Sequence, residues 1–193
     1  ALVAEGRLGR IKLVQAAIGG APTSPAIPVA AVPKGFDWDR WLGPAPACDY
    51  RFLNDPAIVG KEGKEKTNCH YEFRWWYEYS GGKLTDWGAH HVDIAAWALA
   101  LNGQTDGPLA VSGSAKHPVA FKDGQPVERD RYNTATEFLF TVDYPGGTQM
   151  VIRHDTNNGV LIEGDKGRIF VSRGKLAGGP VDALKDDPLP EGA

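Results

Sequence analysis

From residue 109 onwards, short apolar segments alternate with glycine-rich turns, and this pattern constrains the fold more than any other feature of the sequence. Over 136–144 apolar and polar side chains alternate, the spacing of a half-buried strand. Residues 145–147 (PGG) and 164–167 (GDKG) are typical of hairpin turns. Consecutive hairpins predict a largely antiparallel sheet. The predicted strands are 10–18, 109–116, 136–144, 148–154, 159–163 and 168–172.

One long helix is predicted, from Asp86 to Leu101, with Thr85 as its N-cap and Asn102-Gly103 at its end. Its predicted core face consists of Val92, Ala95, Ala96 and Leu99. A single helix of this length can cover one face of the sheet. The expected fold class is therefore α+β, with an open, largely antiparallel β-sheet and a long helix and loops packed on one face.

Residues 20–70 form a proline-rich excursion that cannot be regular sheet or long helix. Within it, 37–42 (DWDRWL) fits either one helical turn or a surface loop pinned by Trp38 and Trp41, and we favour the loop. The charged run 61–66 predicts an exposed loop. We expect one domain over 1–184, with 185–193 as a polar tail or linker. The opening residues 1–6 resemble the last turn of a helix, which suggests a truncated start.

Composition excludes several functional classes. The formal net charge is −3, which does not favour nucleic-acid or anionic-membrane binding. No apolar run is long enough to span a bilayer. Cys48 and Cys69 do not make a disulfide framework or a CxxC zinc motif, so we expect free thiols. The compartment is not determined, although the cytoplasm is favoured over export.

The predicted helix also presents a polar stripe formed by Asp86, His90, Asp93 and Trp97. A carboxylate beside an imidazole favours the charged ring and selects its tautomer, which suits proton transfer to or from a substrate hydroxyl. The alternative is a surface Asp–His pair with no catalytic role. A metal site is disfavoured because His90 and the adjacent His91 point about 100° apart on a helix.

An aromatic run, 70–79 (HYEFRWWYEY), precedes the turn at Gly81-Gly82. These rings could pack against the sheet or form the wall of a sugar site, and the sequence favours a mixture of both. Arg74, Trp76 and Tyr77 are candidate substrate contacts.

The segment 81–97 (GGKLTDWGAHHVDIAAW), together with 73–80 and 38–46 (WDRWLGPAP), resembles the C-terminal domain of the glucose–fructose oxidoreductase and inositol dehydrogenase (Gfo/Idh/MocA) family. The resemblance implies a substrate-binding and oligomerisation domain. The family's N-terminal Rossmann domain, which binds NAD or NADP, has no counterpart here, because the chain has no GxGxxG fingerprint. No cofactor is therefore expected in this chain by itself.

Carried over by this resemblance, Asp86 and His90 are the catalytic pair of an NAD(P)-dependent dehydrogenase. The reaction is oxidation or reduction of a secondary hydroxyl or keto group on a sugar, a polyol or a derivative. Gly81, Gly82 and Asp93 are expected to be structural. His91, where many relatives carry an acidic residue, is a further candidate substrate contact.

Two alternatives share the same signature. The first is an NAD-dependent glycosidase of the same superfamily, and the second is a non-catalytic oligomerisation domain. In each case we expect a homo-oligomer formed through the sheet face, with the apolar row of Phe138, Phe140 and Val142 requiring cover.

Overall fold

A computed structural model describes residues 1–59 and 65–192. The chain forms two compact units. Unit one comprises Ala1–Gly20, Trp87–Ala115 and Glu137–Ala193, and unit two comprises Ala21–Asp86 and Lys116–Thr136. Most of the charged run predicted as a loop, and the last residue of the tail, lie outside the described residues.

Unit one is built on a seven-stranded sheet. Its strands are β1 (Ile11–Ala17), β4 (Ala110–Lys116), β7 (Glu137–Asp143), β8 (Gln149–Arg153), β9 (Gly159–Gly164), β10 (Arg168–Ser172) and β11 (Lys175–Ala177). They lie in the order β11-β10-β9-β1-β8-β7-β4. The helices are α3 (Trp87–Leu101) and α4 (Gly179–Asp182), with 3-10 turns at Pro145–Gly147 and Ala183–Lys185. The expected fold class, α+β with an open sheet and one long helix, is confirmed.

The strand order departs from a simple series of hairpins. β7–β8 and β9–β10 pair antiparallel, as the turns predict, and β10–β11 is an antiparallel pair that was not predicted. β1, however, lies between β8 and β9, parallel to the first and antiparallel to the second. The pairing of β1 is non-local, so no turn residue in the sequence encodes it.

The core of unit one lies between the sheet and α3. Ala95 and Leu99 of the helix pack in one cluster with Val14, Met150 and Ile162 from three adjacent central strands. Ala98 and His91 are also buried on this face, whereas Ala96 is exposed. The predicted helix was therefore correct in extent to within a residue, but its buried face is rotated away from Ala96.

Val142 of β7 packs in this core, and Phe138 lies on the same face of the strand. Phe138 is 2% exposed and Val142 8% exposed, so the prediction that they need an oligomeric partner was wrong. Side chains alternate across a strand, so the opposite sheet face carries the neighbouring positions. Leu139 on that face is 49% exposed.

Unit two is mostly irregular, as predicted for 20–70. Its short elements are α1 (Trp38–Leu42), β2 (Phe52–Leu53), α2 (Pro56–Val59), β3 (Lys66–Thr67), β5 (Phe121–Lys122) and β6 (Gln125–Pro126), with 3-10 turns at His70–Trp75 and Gly82–Leu84. Strands β2 and β3 pair, as do β5 and β6. Ile27, Trp75, Trp76 and Tyr132 form the centre of a second core.

The loop favoured over 37–42 is a helical turn instead. Asp37 caps it, because its carboxylate accepts a hydrogen bond from the backbone N–H of Arg40 at 3.0 Å. Gly43, at φ +56°, ends it and donates its N–H to the carbonyl of Asp39. An aspartate directly before the first helical residue and a glycine directly after the last one were the signals that identify this helix.

Candidate active site

Asp86 lies directly before the first residue of α3 and is held by a cation from another turn. Nη1 of Arg74 lies 2.7 Å from the Asp86 carboxylate, and both side chains are largely shielded from solvent. The Arg74 guanidinium also lies 3.6 Å from the centre of the Tyr71 ring and donates Nε–H to the Tyr71 carbonyl. Arg74, a candidate substrate contact from the sequence, is thus engaged with Asp86.

His90 is exposed on the first turn of α3. The Trp87 ring contacts His90 edge-on, with centroids 6.2 Å apart. Asp93 and Trp97 are exposed on the same stripe, and Trp97 is 67% accessible. The imidazole of His90 is therefore presented to solvent on the polar side of the helix.

His91 occupies a different environment. It is 4% exposed, and its Nε2 lies 2.7 Å from the side-chain oxygen of Asn158. Because an amide oxygen can only accept, Nε2 carries the proton. Nδ1 is buried and has no hydrogen-bond partner among residues 1–59 and 65–192. Adjacent histidines on one helix thus divide into an exposed ring and a buried ring.

The glycine turn before the helix has a steric basis. Gly82 is buried at φ +65°, and a Cβ there would lie 2.6 Å from Oγ1 of Thr134. The N–H of Gly81 donates to Oγ1 of Thr85 at 3.0 Å. Thr85 therefore stabilises the turn and does not act as the helix cap predicted from the sequence.

The aromatic run separates into core and surface. Trp76 is 2% exposed and donates its indole N–H to the carbonyl of Thr67, so it packs the interior. Tyr77 is 41% exposed and its ring contacts Phe121 edge-on, with centroids 5.1 Å apart. The structure does not bring Trp76 and Tyr77 to one surface.

Asn133 is a buried connector that the sequence analysis missed. Its side-chain oxygen accepts the N–H of Tyr77 at 2.7 Å, and its side-chain nitrogen donates to the carboxylate of Glu78 at 3.1 Å. Its carbonyl lies 2.9 Å from Nδ1 of His117. An isolated asparagine in a loop gives no sequence signal of this kind, because all three of its partners lie at least 16 residues away along the chain.

In unit two the hydroxyl of the buried Tyr132 is hydrogen-bonded to the carboxylate of the half-buried Glu72. Burial, followed by the neighbouring Glu72 charge, raises the pKa of Tyr132. The hydroxyl therefore remains a hydrogen-bond donor throughout the neutral range.

Two kinds of feature are absent from residues 1–59 and 65–192. No cluster of three or more His, Cys, Asp or Glu side chains there is arranged to hold a metal ion. No described helix is long and apolar enough to cross a membrane.

Comparisons with known structures match this chain to parts of longer proteins. The aldose-aldose oxidoreductase from Caulobacter crescentus complexed with glycerol is 17% identical with a TM-score of 0.47, covering 92% of this chain and 38% of that one. The WlbA dehydrogenase from Bordetella pertussis in complex with NADH and UDP-GlcNAcA is 15% identical with a TM-score of 0.43, covering 93% and 38%. This chain thus spans well under half the length of either protein.

A comparison with curated proteins finds no match. Residues 23–176 match the family model described as the oxidoreductase family, C-terminal alpha/beta domain, of Gfo/Idh/MocA proteins. That match spans most of the chain, and it includes the glycine turn, Asp86 and the whole of α3. The protein therefore belongs to the Gfo/Idh/MocA oxidoreductase family and contains its C-terminal alpha/beta domain.

Proposed function

We propose that this chain is the substrate-binding domain of an NAD(P)-dependent dehydrogenase that interconverts a secondary hydroxyl and a keto group. The supporting observation is the exposed imidazole of His90, four residues after a carboxylate that Arg74 holds at 2.7 Å. A structural histidine would be expected to be buried and hydrogen-bonded, as His91 is. His90 is available to a ligand instead.

His90 is assigned the proton-transfer role. In the direction of oxidation its neutral imidazole accepts the proton of the substrate hydroxyl. Arg74, 2.7 Å from the Asp86 carboxylate, positions that group directly before α3. Arg74 is thus a positioning residue rather than a substrate contact.

The nicotinamide, when bound, would accept or supply the hydride. None of the described residues is assigned to the cofactor, because the chain carries no GxGxxG fingerprint that could place a pyrophosphate on a helix N-terminus.

The substrate class we propose is a sugar, a polyol or a derivative of one. Family membership supports oxidoreductase chemistry. Candidate hydrogen-bond groups at the beginning of α3 are imidazole and carboxylate, which suit a polyhydroxylated ligand better than an apolar one.

The decisive experiment measures turnover of sugars and polyols with NAD⁺ or NADP⁺, in the intact enzyme that joins this domain to a dinucleotide-binding domain. His90→Asn should lower kcat by about 10²–10⁴-fold, because a general base is lost. Asp93→Asn is the matched control, since Asp93 is an exposed residue one turn further along the same stripe. Wild-type turnover in His90→Asn would eliminate the catalytic assignment and favour the oligomerisation domain. Release of aryl alcohol from aryl glycosides would favour the glycosidase.

We also propose that the domain self-associates through the sheet face opposite α3. Leu139 is half exposed there, and Val151, Leu161 and Phe170 on neighbouring strands are only partly buried. The edge strand β4 is exposed along its whole length, including Val111 at 64%. An exposed apolar surface together with an exposed edge strand is typical of an association surface.

A further inference from the structure

We propose that a second site, the aromatic cleft of unit two, binds a pyranose ring of a carbohydrate. The aromatic cleft is a cavity of about 700 Å³ lined by Trp41, Pro44, His70, Phe73, Glu78 and Tyr79. Its volume lies within the range of small-molecule sites. The residues that line the cleft belong to unit two and include neither Asp86 nor His90, so the proposal does not depend on their catalytic roles.

The walls of the cleft are aromatic rings at steep angles to one another. The Trp41 ring lies at 74° to Phe73 and 85° to Tyr79, with centroids 6.5 and 5.7 Å away. Trp38 stacks on Trp41 at 5.0 Å and holds that ring in place. The negative faces of such rings attract the partly positive C–H groups on the flat side of a pyranose.

Glu78 supplies a directed polar group. Its side chain is 10% exposed, and its carboxylate accepts hydrogen bonds from the buried side-chain nitrogen of Asn133 at 3.1 and 3.3 Å. Arg129 lies 3.9 Å away. These donors leave lone pairs on the carboxylate for the hydroxyls of a ligand, and the exposed imidazole of His70 is a second polar group.

The cleft is preorganised, which lowers the entropy cost of binding. The Trp38 indole N–H donates to the carbonyl of Cys48 at 2.7 Å. Sγ of Cys48 in turn lies 2.7 Å from the hydroxyl of Tyr79. Trp41 and Tyr79 are thereby held through one network, independently of any ligand.

The chemistry favours a neutral polyhydroxylated ligand over an anion. The cleft is lined by a carboxylate, which repels phosphate and carboxylate groups. An organic cation is the competing occupant, because aromatic faces and a carboxylate also attract ammonium groups. The experiment must therefore separate these two ligands.

The test is a titration followed by NMR on the indole N–H resonances of the tryptophans. The probes are the methyl glycosides of glucose, galactose and mannose, with tetramethylammonium as the cationic competitor. We expect at least one glycoside to shift the Trp41 resonance saturably. Saturation by tetramethylammonium alone, or no shift with any glycoside, would overturn the proposal.

Variants locate the site. Trp41→Ala, followed on the remaining indole resonances, should weaken binding about tenfold or more through loss of ring stacking. Glu78→Gln keeps the shape of the side chain and should weaken it about tenfold. Trp97→Ala, at an exposed tryptophan of unit one, should leave binding unchanged.

His90→Asn should also retain glycoside binding at the cleft, so loss of turnover and loss of binding are separable results. A folded Glu78→Gln protein that binds the glycoside as the wild type does would show that the cleft is not the site, even where Trp41→Ala fails to fold.

Discussion

At the scale of single residues, Gly82 illustrates how the turn before α3 depends on a missing side chain. A side chain at this position would be strained by the φ of +65°, and its Cβ would lie only 2.6 Å from Oγ1 of Thr134. We expect Gly82→Ala to lower the free energy of unfolding by about 1–3 kcal/mol, measured by urea denaturation. Gly174→Ala is the control, because a Cβ there meets nothing within 4 Å. Equal stabilities of the two variants would contradict the steric account.

Asp155 gives a pH-dependent prediction at the same scale. Hydrogen bonds from Arg153 at 2.7 and 2.9 Å lower the pKa of Asp155 to about 2. A lowered pKa in the folded state means that the stabilisation is complete above the ordinary value of about 3.9 and is lost as the pH falls towards 2.

The NMR titration of the Asp155 carboxylate should therefore have its midpoint near 2. In Arg153→Gln the midpoint should move up towards the ordinary value. An unchanged midpoint in that variant would remove Arg153 as the cause.

At the scale of elements, α3 was predicted because its periodicity is encoded locally. Leu99 is 2% exposed against the sheet, whereas Leu101 of the same helix is 41% exposed. We expect Leu99→Ala to reduce the free energy of unfolding by about 2–5 kcal/mol. Leu101→Ala should cost less than half of that, and similar losses in both would mean that the helix does not pack as described.

Elements whose signals lie within a few residues were largely predictable. Strand β7 and the hairpin at 145–147 follow from alternation and turn chemistry. The helix α1 was not predicted because Trp38 and Trp41 were interpreted as anchors of a surface loop, although Asp37 and Gly43 are typical helix caps. The rotation of the buried face of α3, which covers Ala98 and exposes Ala96, depends on side chains from distant strands and has no local signal.

At the scale of the whole molecule, self-association is the property to measure. Light scattering should give a mass above that of the 20.8 kDa monomer. Leu139→Glu, on the exposed sheet face, should shift the distribution towards the monomer through the cost of burying a charge. Leu176→Glu is the control, since Leu176 is 52% exposed on the strand β11 at the far edge of the sheet. A wild-type monomer at high concentration would refute the proposal.

The sequence alone determined the family signature, the long helix, most strands and the four-residue spacing of Asp86 and His90, because each depends on positions along the chain. Only the tertiary structure decided that β1 inserts between β8 and β9, that Phe138 faces inward, and that Arg74 holds Asp86. Asn133 likewise became visible only as a contact of Glu78. The physical reason is common to all four: these interactions join residues far apart in the chain, and long-range pairing depends on packing that no local pattern encodes.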